Sequence, residues 1–370
     1  MKSFVFRSLP LSADSRILRN ANLLDDNEVC LCTWETSSPD SVNKFTFPFG
    51  KGGSSYFKVF KYLFFVFWVP YIIFCHARKS DRILFMDLET IFLGYFAARI
   101  RGCYCIFDVV DPFSQTKSSL FSFPRIQSIV DKVEFYFATH ADLAIFPDES
   151  RKDYYKDRQG LVFGSSSLIV ENVPDYNDCI IPSSKINDPK KIVIGYFGTL
   201  DFRTRGLENL IDLANTYPNR IKLLVAGQGA MSDLFLSLSK INNNIDFFGG
   251  FNRLDLAGLY SKVDFTFAYY SPCIELHKYA APNKYYEHLY FLKPIITHEV
   301  IPQSKVINSL SSGVLIDFNK SSYSEVLSYI EKYLSSQSFN LFEVQKYWCE
   351  NYGDYYSRIV VLFRKRLEGI

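Results

Sequence analysis

Ala280-Ala281-Pro282-Asn283-Lys284-Tyr285-Tyr286-Glu287-His288-Leu289-Tyr290-Phe291-Leu292-Lys293-Pro294-Ile295-Ile296-Thr297 passes from a proline turn through a short helical segment into an apolar strand. A proline at a helix start is preorganised for the helical backbone. Lys284 and Glu287 then stand three residues apart, on the same face of the first turn. A lysine placed there faces an anion, and a carboxylate one turn further on can accept hydrogen bonds from a polyhydroxyl ligand. Together they suit a nucleotide-sugar.

This segment sits in a longer alternation of strands and helices. Apolar runs rich in β-formers occur at Lys191–Thr199, Arg220–Ala226, Ile245–Phe248, Val263–Ala268, Pro294–Thr297 and Val314–Ile316. The first half repeats the pattern with Phe4–Phe6, Glu28–Cys32, Arg82–Met86, Cys103–Phe107, Asp142–Phe146 and Ser167–Glu171. Helical spacing separates them, as at Asp14–Leu24 and Glu89–Ile100. Strands alternating with helices imply parallel βαβ units, whose ligands gather at the carboxyl ends of the strands. Two prolines within the polar stretch at 176–190 mark an interdomain linker. The expected organisation is a first domain over 1–176, a second over 190–340, and a closing helix over 341–370 that packs back toward the first domain. A chain of 370 residues exceeds what one core usually supports, which favours two domains.

The formal net charge is only +2, which argues against a dedicated nucleic-acid binder. Among the eight cysteines, Cys30 and Cys32, and Cys103 and Cys105, have a C-x-C spacing inside apolar runs. A strand points both members of such a pair to one face, where free cysteine behaves as a small hydrophobe. Reduced thiols, hence a cytoplasmic location, are the simplest account. The segment from Tyr56 to Cys75 approaches membrane-spanning length but carries Lys58, Lys61 and Pro70. Two readings stay open for it: a helix lying in the membrane interface beside Lys58, Lys61, Arg78 and Lys79, or a buried core helix. The histidines lack the spacing of a metal site, and no Asp-x-Asp occurs.

Several motifs fall at strand ends. Gly198-Thr199-Leu200-Asp201-Phe202-Arg203-Thr204-Arg205-Gly206 links a strand to a helix, so its backbone and the helix N-terminus face an anion. Val225-Ala226-Gly227-Gln228-Gly229 and Phe247-Phe248-Gly249-Gly250-Phe251 close the next two strands. In the first half stand Asp14-Ser15-Arg16, Met86-Asp87-Leu88-Glu89-Thr90, Phe107-Asp108-Val109-Val110-Asp111-Pro112-Phe113 and Ile169-Val170-Glu171-Asn172-Val173-Pro174-Asp175.

With Pro282–Thr297, these segments resemble the retaining glycosyltransferases of family 4, of bacterial surface-polysaccharide type. The resemblance is strongest from 191 to 300. It implies the α/β GT-B fold, in which two doubly wound parallel-sheet (Rossmann-like) domains face a central cleft. It also implies transfer of a hexose-type sugar from a nucleoside diphosphate sugar, on UDP or GDP, to a glycan or lipid-linked glycan acceptor. No cofactor and no metal are implied; the nucleotide-sugar is a substrate. Capsule or O-antigen synthesis at the inner face of the cell membrane is the setting such enzymes suggest. On this resemblance the donor site comprises Gly198, Thr199, Arg203, Arg205, Gly249, Phe251, Glu275, Asn283, Lys284, Tyr285 and Glu287. Asp111, Arg205 and Lys284 take catalytic places, and Asp14, Arg16 and Asp87 lie on the acceptor side.

The chain departs from the family pattern. His288 replaces the usual tyrosine, Leu292 the usual glycine, and Met86 and Val110 the usual histidines. Tyr279 stands where the first of two family glutamates is expected, leaving Glu275, His277 or a backbone amide for its role. Two other readings stay open: a different GT-B activity such as nucleotide-sugar epimerisation, which would need an acid/base constellation in the cleft rather than an acceptor groove, and a catalytically silent transferase-like partner subunit, motivated by the missing histidines and first glutamate.

Overall fold

A computed structural model describes residues 1–9, 15–24, 28–34, 43–49, 55–116, 123–164, 167–174 and 191–367; Asp14 and the expected linker at 176–190 lie outside them. The chain divides into two compact units, Met1–Glu171 with Tyr355–Ile370, and Asn172–Asp354.

The first unit is built on β1 (Ser3–Arg7), β2 (Val29–Thr33), β3 (Asn43–Thr46), β4 (Arg82–Met86), β5 (Tyr104–Asp108), β6 (Leu143–Phe146) and β7 (Ser167–Ile169). Its sheet order is β3-β2-β1-β4-β5-β6-β7, and the pairings are parallel, with Phe4 opposite both Cys30 and Ile83. Helices α1 (Ser15–Leu24), α2 (Ser55–His76), α3 (Leu88–Arg101), α4 (Phe113–Thr116), α5 (Pro124–His140) and α6 (Glu149–Gln159) form the crossovers. Strands covered on both faces must be apolar throughout, and Ile83–Met86 are all buried. The sequence gives no such signal for β3, whose Asn-Lys-Phe-Thr lies at the sheet edge. Cys30, Cys32, Cys103 and Cys105 are buried free thiols, and burial pushes Cys103 up to about 11 and Cys105 up to about 12.

The second unit repeats the plan with β8 (Ile192–Phe197), β9 (Ile221–Ala226), β10 (Ile245–Gly249), β11 (Phe265–Phe267), β12 (Ile295–Thr297) and β13 (Gly313–Leu315), in the order β10-β9-β8-β11-β12-β13. These pairings are parallel too. Its helices are α7 (Leu207–Thr216), α8 (Ser232–Ile241), α9 (Leu256–Ser261), α10 (Asn283–Tyr290), α11 (Ser304–Ser309), α12 (Tyr323–Ser335) and α13 (Leu341–Tyr352). The doubly wound parallel α/β units expected from the sequence are therefore present. The closing segment, expected as one helix, is two. Helix α13 packs on α10 in the second unit, while α14 (Tyr355–Leu367) packs on α1 in the first. In the first unit the Glu171 amide also donates to the Tyr355 hydroxyl at 2.6 Å.

In both sheets the winding reverses beside the first strand, between β1 and β4 and between β8 and β11. The crevice at such a reversal is where open α/β sheets bind ligands. The departures at 288 and 292 have physical readings. His288 is fully buried in α10 and its pKa is pushed down to about 3 by burial, so it packs as a neutral ring. Leu292, just past α10, has φ +52°, a left-handed position that favours glycine.

A buried acidic pair underlies α4. Asp131 accepts from the Ser114 hydroxyl at 2.5 Å and the Tyr154 hydroxyl at 3.1 Å. Glu134 accepts from the Tyr155 hydroxyl at 2.6 Å and the Phe113 amide at 3.1 Å. Burial raises Glu134 to about 8, against an ordinary value of 4.5. The folded chain thus keeps this proton over a range in which the unfolded chain releases it. Stability from this group is complete below the unfolded value and is lost as pH rises through about 8. Glu134→Gln is expected to flatten the fall in Tm between about pH 5 and about pH 8; an unchanged pH slope in calorimetric melts would refute it.

Candidate functional site

The loops following β8, β9 and β10 are zipped together by their backbones. Gly198 donates its amide to the Ala226 carbonyl at 2.9 Å, Leu200 to Gln228 at 3.0 Å, and Gly227 to Gly249 at 2.7 Å. Two glycines make this approach possible. A Cβ on Gly227 would stand 1.8 Å from the Gly198 carbonyl oxygen, and one on Gly198 would stand 2.7 Å from Nζ of Lys284. Bare backbone thus lies directly against a lysine ammonium.

Lys284, on the first turn of α10, carries its Nζ 4.6 Å from the centroid of the Tyr196 ring. The Tyr196 hydroxyl donates to the Thr199 carbonyl at 2.6 Å, tying that ring to the glycine turn. Burial lowers the pKa of Lys284 to about 8; Glu287 acts against this and Arg205 adds to it. Arg205 precedes Gly206, the N-cap of α7, and its guanidinium lies 4.9 Å over the Tyr270 ring. Tyr196 lies in β8 and Tyr270 just beyond β11, the two strands at the winding reversal. The His277 ring meets Tyr270 edge-on at 5.0 Å. Its Nδ1 is 2.8 Å from the Ser271 carbonyl, so that nitrogen is the donor. Two cations that repel each other are held close together, each on the face of a tyrosine. An anion between them would relieve the repulsion.

Glu287 is fixed from behind. The Tyr260 hydroxyl donates to its Oε2 at 2.9 Å, and the Tyr260 ring is itself stacked on Phe291 at 4.3 Å. The carboxylate keeps acceptor capacity beyond that bond.

The remaining expected residues separate into groups. Thr199, Arg203, Glu275 and Asn283 are exposed. Arg203 has φ +64° and its amide donates to the Glu208 carboxylate at 2.7 Å. Glu275 lies on a short turn, Glu275–Tyr279, and Gly249 has φ +83°. Phe251 packs on the cluster of Val193, Phe197 and Leu256. Tyr285 departs from the expected donor set: it is 2% exposed, and its hydroxyl bonds Tyr347 and Tyr352 of α13, because α10 must turn one face inward.

In the first unit, Asp111 follows β5 and pairs with the buried Arg151 at 2.8 Å. Asp87 follows β4, at the winding reversal, and forms an ion pair with Arg7 from the end of β1. Its φ of +70° and ψ of +160° are unusual for a residue other than glycine. Arg16 does not serve the acceptor side as expected. Its guanidinium grips Asp108 through two bonds, at 2.7 and 2.8 Å, and donates to the Val170 carbonyl at 2.9 Å, all in the interior. Among the described residues no group of three or more His, Cys, Asp or Glu is arranged to hold a metal ion. No helix among them is long and apolar enough to cross a membrane. Sequence reasoning missed Tyr196, Tyr260 and Tyr270; their only signal is an aromatic residue within or just after a strand or helix beside the glycine turns.

No protein-family model matches the chain, and no curated protein sequence matches it. Solved structures do match along its whole length. WaaG, a glycosyltransferase involved in lipopolysaccharide biosynthesis, is 14% identical with a TM-score of 0.70, over 98% of this chain and 99% of that one. Sucrose-phosphate synthase from Thermosynechococcus elongatus is 13% identical with a TM-score of 0.69, over 100% and 99%. HepE of Anabaena, solved in complex with UDP and glucose, is 13% identical with a TM-score of 0.69, over 100% of both chains. At these identities the likeness is one of fold, and the fold this chain shares with these proteins is GT-B.

Proposed function

We propose that this chain transfers a hexose-type sugar from a nucleoside diphosphate sugar to a glycan or lipid-linked glycan acceptor, with retention of configuration and without a metal ion. The observation that carries this reading is the pair of cations, Arg205 and Lys284, held on tyrosine faces beside the bare backbone of Gly198. A diphosphate leaving group gains negative charge as the glycosidic bond breaks, and cations fixed in advance favour that state over the ground state. The Gly249 loop offers backbone to the edge of the nucleobase, and Phe251, which ends that loop, packs on Val193, Phe197 and Leu256. UDP is the nucleotide the HepE complex supports. Surface-polysaccharide synthesis is supported by the likeness to WaaG and to the lipopolysaccharide outer core galactosyltransferase WaaB; peripheral contact with the inner face of the cell membrane is part of the same proposal. Asp111 is the catalytic acidic residue assigned to the first unit, and Asp87 the acceptor-side residue.

Thermal melts with a panel of UDP- and GDP-sugars, followed by assays for slow donor hydrolysis, test the proposal. Stabilisation and hydrolysis are expected with one nucleotide series. Stabilisation without turnover, under any acceptor tried, would favour the silent partner subunit; no stabilisation by any nucleoside diphosphate would end the reading.

Glu287 is assigned to the two ribose hydroxyls. It lies one turn beyond Lys284 on α10, and a carboxylate can accept both hydroxyls in charge-assisted bonds. Glu287→Gln is expected to weaken nucleotide binding by about 1–3 kcal/mol. Calorimetric titration with the nucleoside diphosphate and its 2′-deoxy analogue decides the point. Equal discrimination by mutant and wild type would remove Glu287 from the ribose.

A further inference from the structure

Helix α2 carries two apolar stripes where a helix on a sheet needs one. Phe65, Val69, Ile72 and Ile73 are buried, whereas Phe60, Phe64, Phe67 and Tyr71, three or four residues apart, are each 56% or more exposed. The outer stripe does not end with that helix. Helix α3 packs along α2 and exposes Phe96 and Ile100, the latter at 74%. Phe92 and Phe96 of α3 lie 6.1 and 6.2 Å from Phe137 of α5, and an apolar groove of about 380 Å³ runs between these two helices. Exposed apolar side chains spread over three packed helices mark an interaction surface.

Charge selects its partner. Helix α2 contains no acidic residue. The acids elsewhere on this face are withdrawn: Asp81 after α2, Glu89 of α3, and Asp131 and Glu134 of α5 are each 7% exposed or less. The exposed charged side chains on the three helices and the turn after α2 are all cationic: Arg78, Lys79, Arg99, Arg101, Arg125 and Lys132. Arg99 is compensated by Asp142 at 2.9 Å. A second copy of this chain would bring like charges together. Aromatic and aliphatic side chains beside a surplus of cations instead match the headgroup region of an anionic bilayer. We propose that the α2–α3–α5 face docks the protein on an anionic lipid membrane. This extends the membrane contact named above from one helix to three. It also revises the contributing cations, since Lys61 is 8% exposed and buried within the first unit.

Flotation of the whole protein with phosphatidylcholine vesicles, with and without phosphatidylglycerol, tests the proposal. Binding is expected only to the anionic vesicles and is expected to weaken as salt rises. Phe67→Ser combined with Ile100→Ser should reduce the bound fraction at least about tenfold. Lys79→Glu combined with Lys132→Glu should do the same on anionic vesicles. All four positions are exposed, so melting temperatures should hold. Absence from the lipid fraction under every condition would overturn the proposal. So would a lipid-free dimer, seen by sedimentation, that the Phe67→Ser and Ile100→Ser pair dissolves, because the face would then be a contact between copies. Titration of the same preparation with nucleoside diphosphate shows separately whether the donor reading stands.

Discussion

Replacing Lys284 or Arg205 by alanine is expected to lower kcat/KM for sugar transfer by about 10²-fold or more, the usual loss when a charge contact to a developing anion is removed. Both variants should fold, since neither side chain is fully buried: Lys284 stands beside a glycine turn and Arg205 over the Tyr270 ring. The loss should fall mainly on kcat, because the contact strengthens as the leaving group departs. Lys284 adds a pH signature. Burial and the neighbouring Arg205 lower it to about 8, so part of the free protein carries a neutral amine near that pH. A bound diphosphate favours the charged form. Donor affinity should therefore be full below about pH 8 and decline as pH rises through it, and Lys284→Ala should abolish this step. Calorimetric titrations across that range and steady-state kinetics of both variants provide the check. Unchanged kinetics in both would remove the pair from the reaction. A rise in KM alone would mean that ground state and transition state are bound equally.

What the sequence disclosed here follows from which features are local. Strands such as Ile83–Met86 and Val193–Phe197 are buried on both faces, so they must be written as apolar runs and can be found one at a time. Strand β3 lies at an edge and has no such requirement; its Asn-Lys-Phe-Thr carries no signal. Gly198 and Gly227 are legible because only glycine permits the backbone approach seen there. The tyrosines beneath the two cations are not. Tyr196 lies within an apolar strand and Tyr270 just beyond one, and nothing local tells which cation a ring will carry. Tyr285 shows the opposite failure. It adjoins Lys284 in sequence, but successive residues on a helix point in different directions, and this one turns into the core.

The same limit explains Arg16, and its correction leads to the largest stability effect expected in the molecule. An arginine near the start of α1 looks available to a ligand until Asp108, 92 residues later, is seen to meet it in the interior. The pair is 3% and 0% exposed, and Asn20 adds a third bond to Asp108 at 2.6 Å. It joins α1 to the end of β5 and, through Val170, to the chain beyond β7. Removing one partner leaves the other charge buried without compensation, which typically costs about 3–5 kcal/mol. Asp108→Ala should therefore melt about 6–20 °C lower, taking about 2–4 °C per kcal/mol for a unit of this size. Replacing both groups by apolar side chains, Arg16→Met with Asp108→Leu, should recover much of the loss, because a buried ion pair contributes little beyond its own desolvation cost. An acceptor-binding role predicts a different pattern. Arg16→Met alone would leave the melt unchanged and raise KM for the acceptor, and the double variant would bind acceptor no better than the single. Melts and acceptor kinetics of the two single variants and the double variant distinguish these outcomes, and an unperturbed melt for Asp108→Ala would refute the structural assignment.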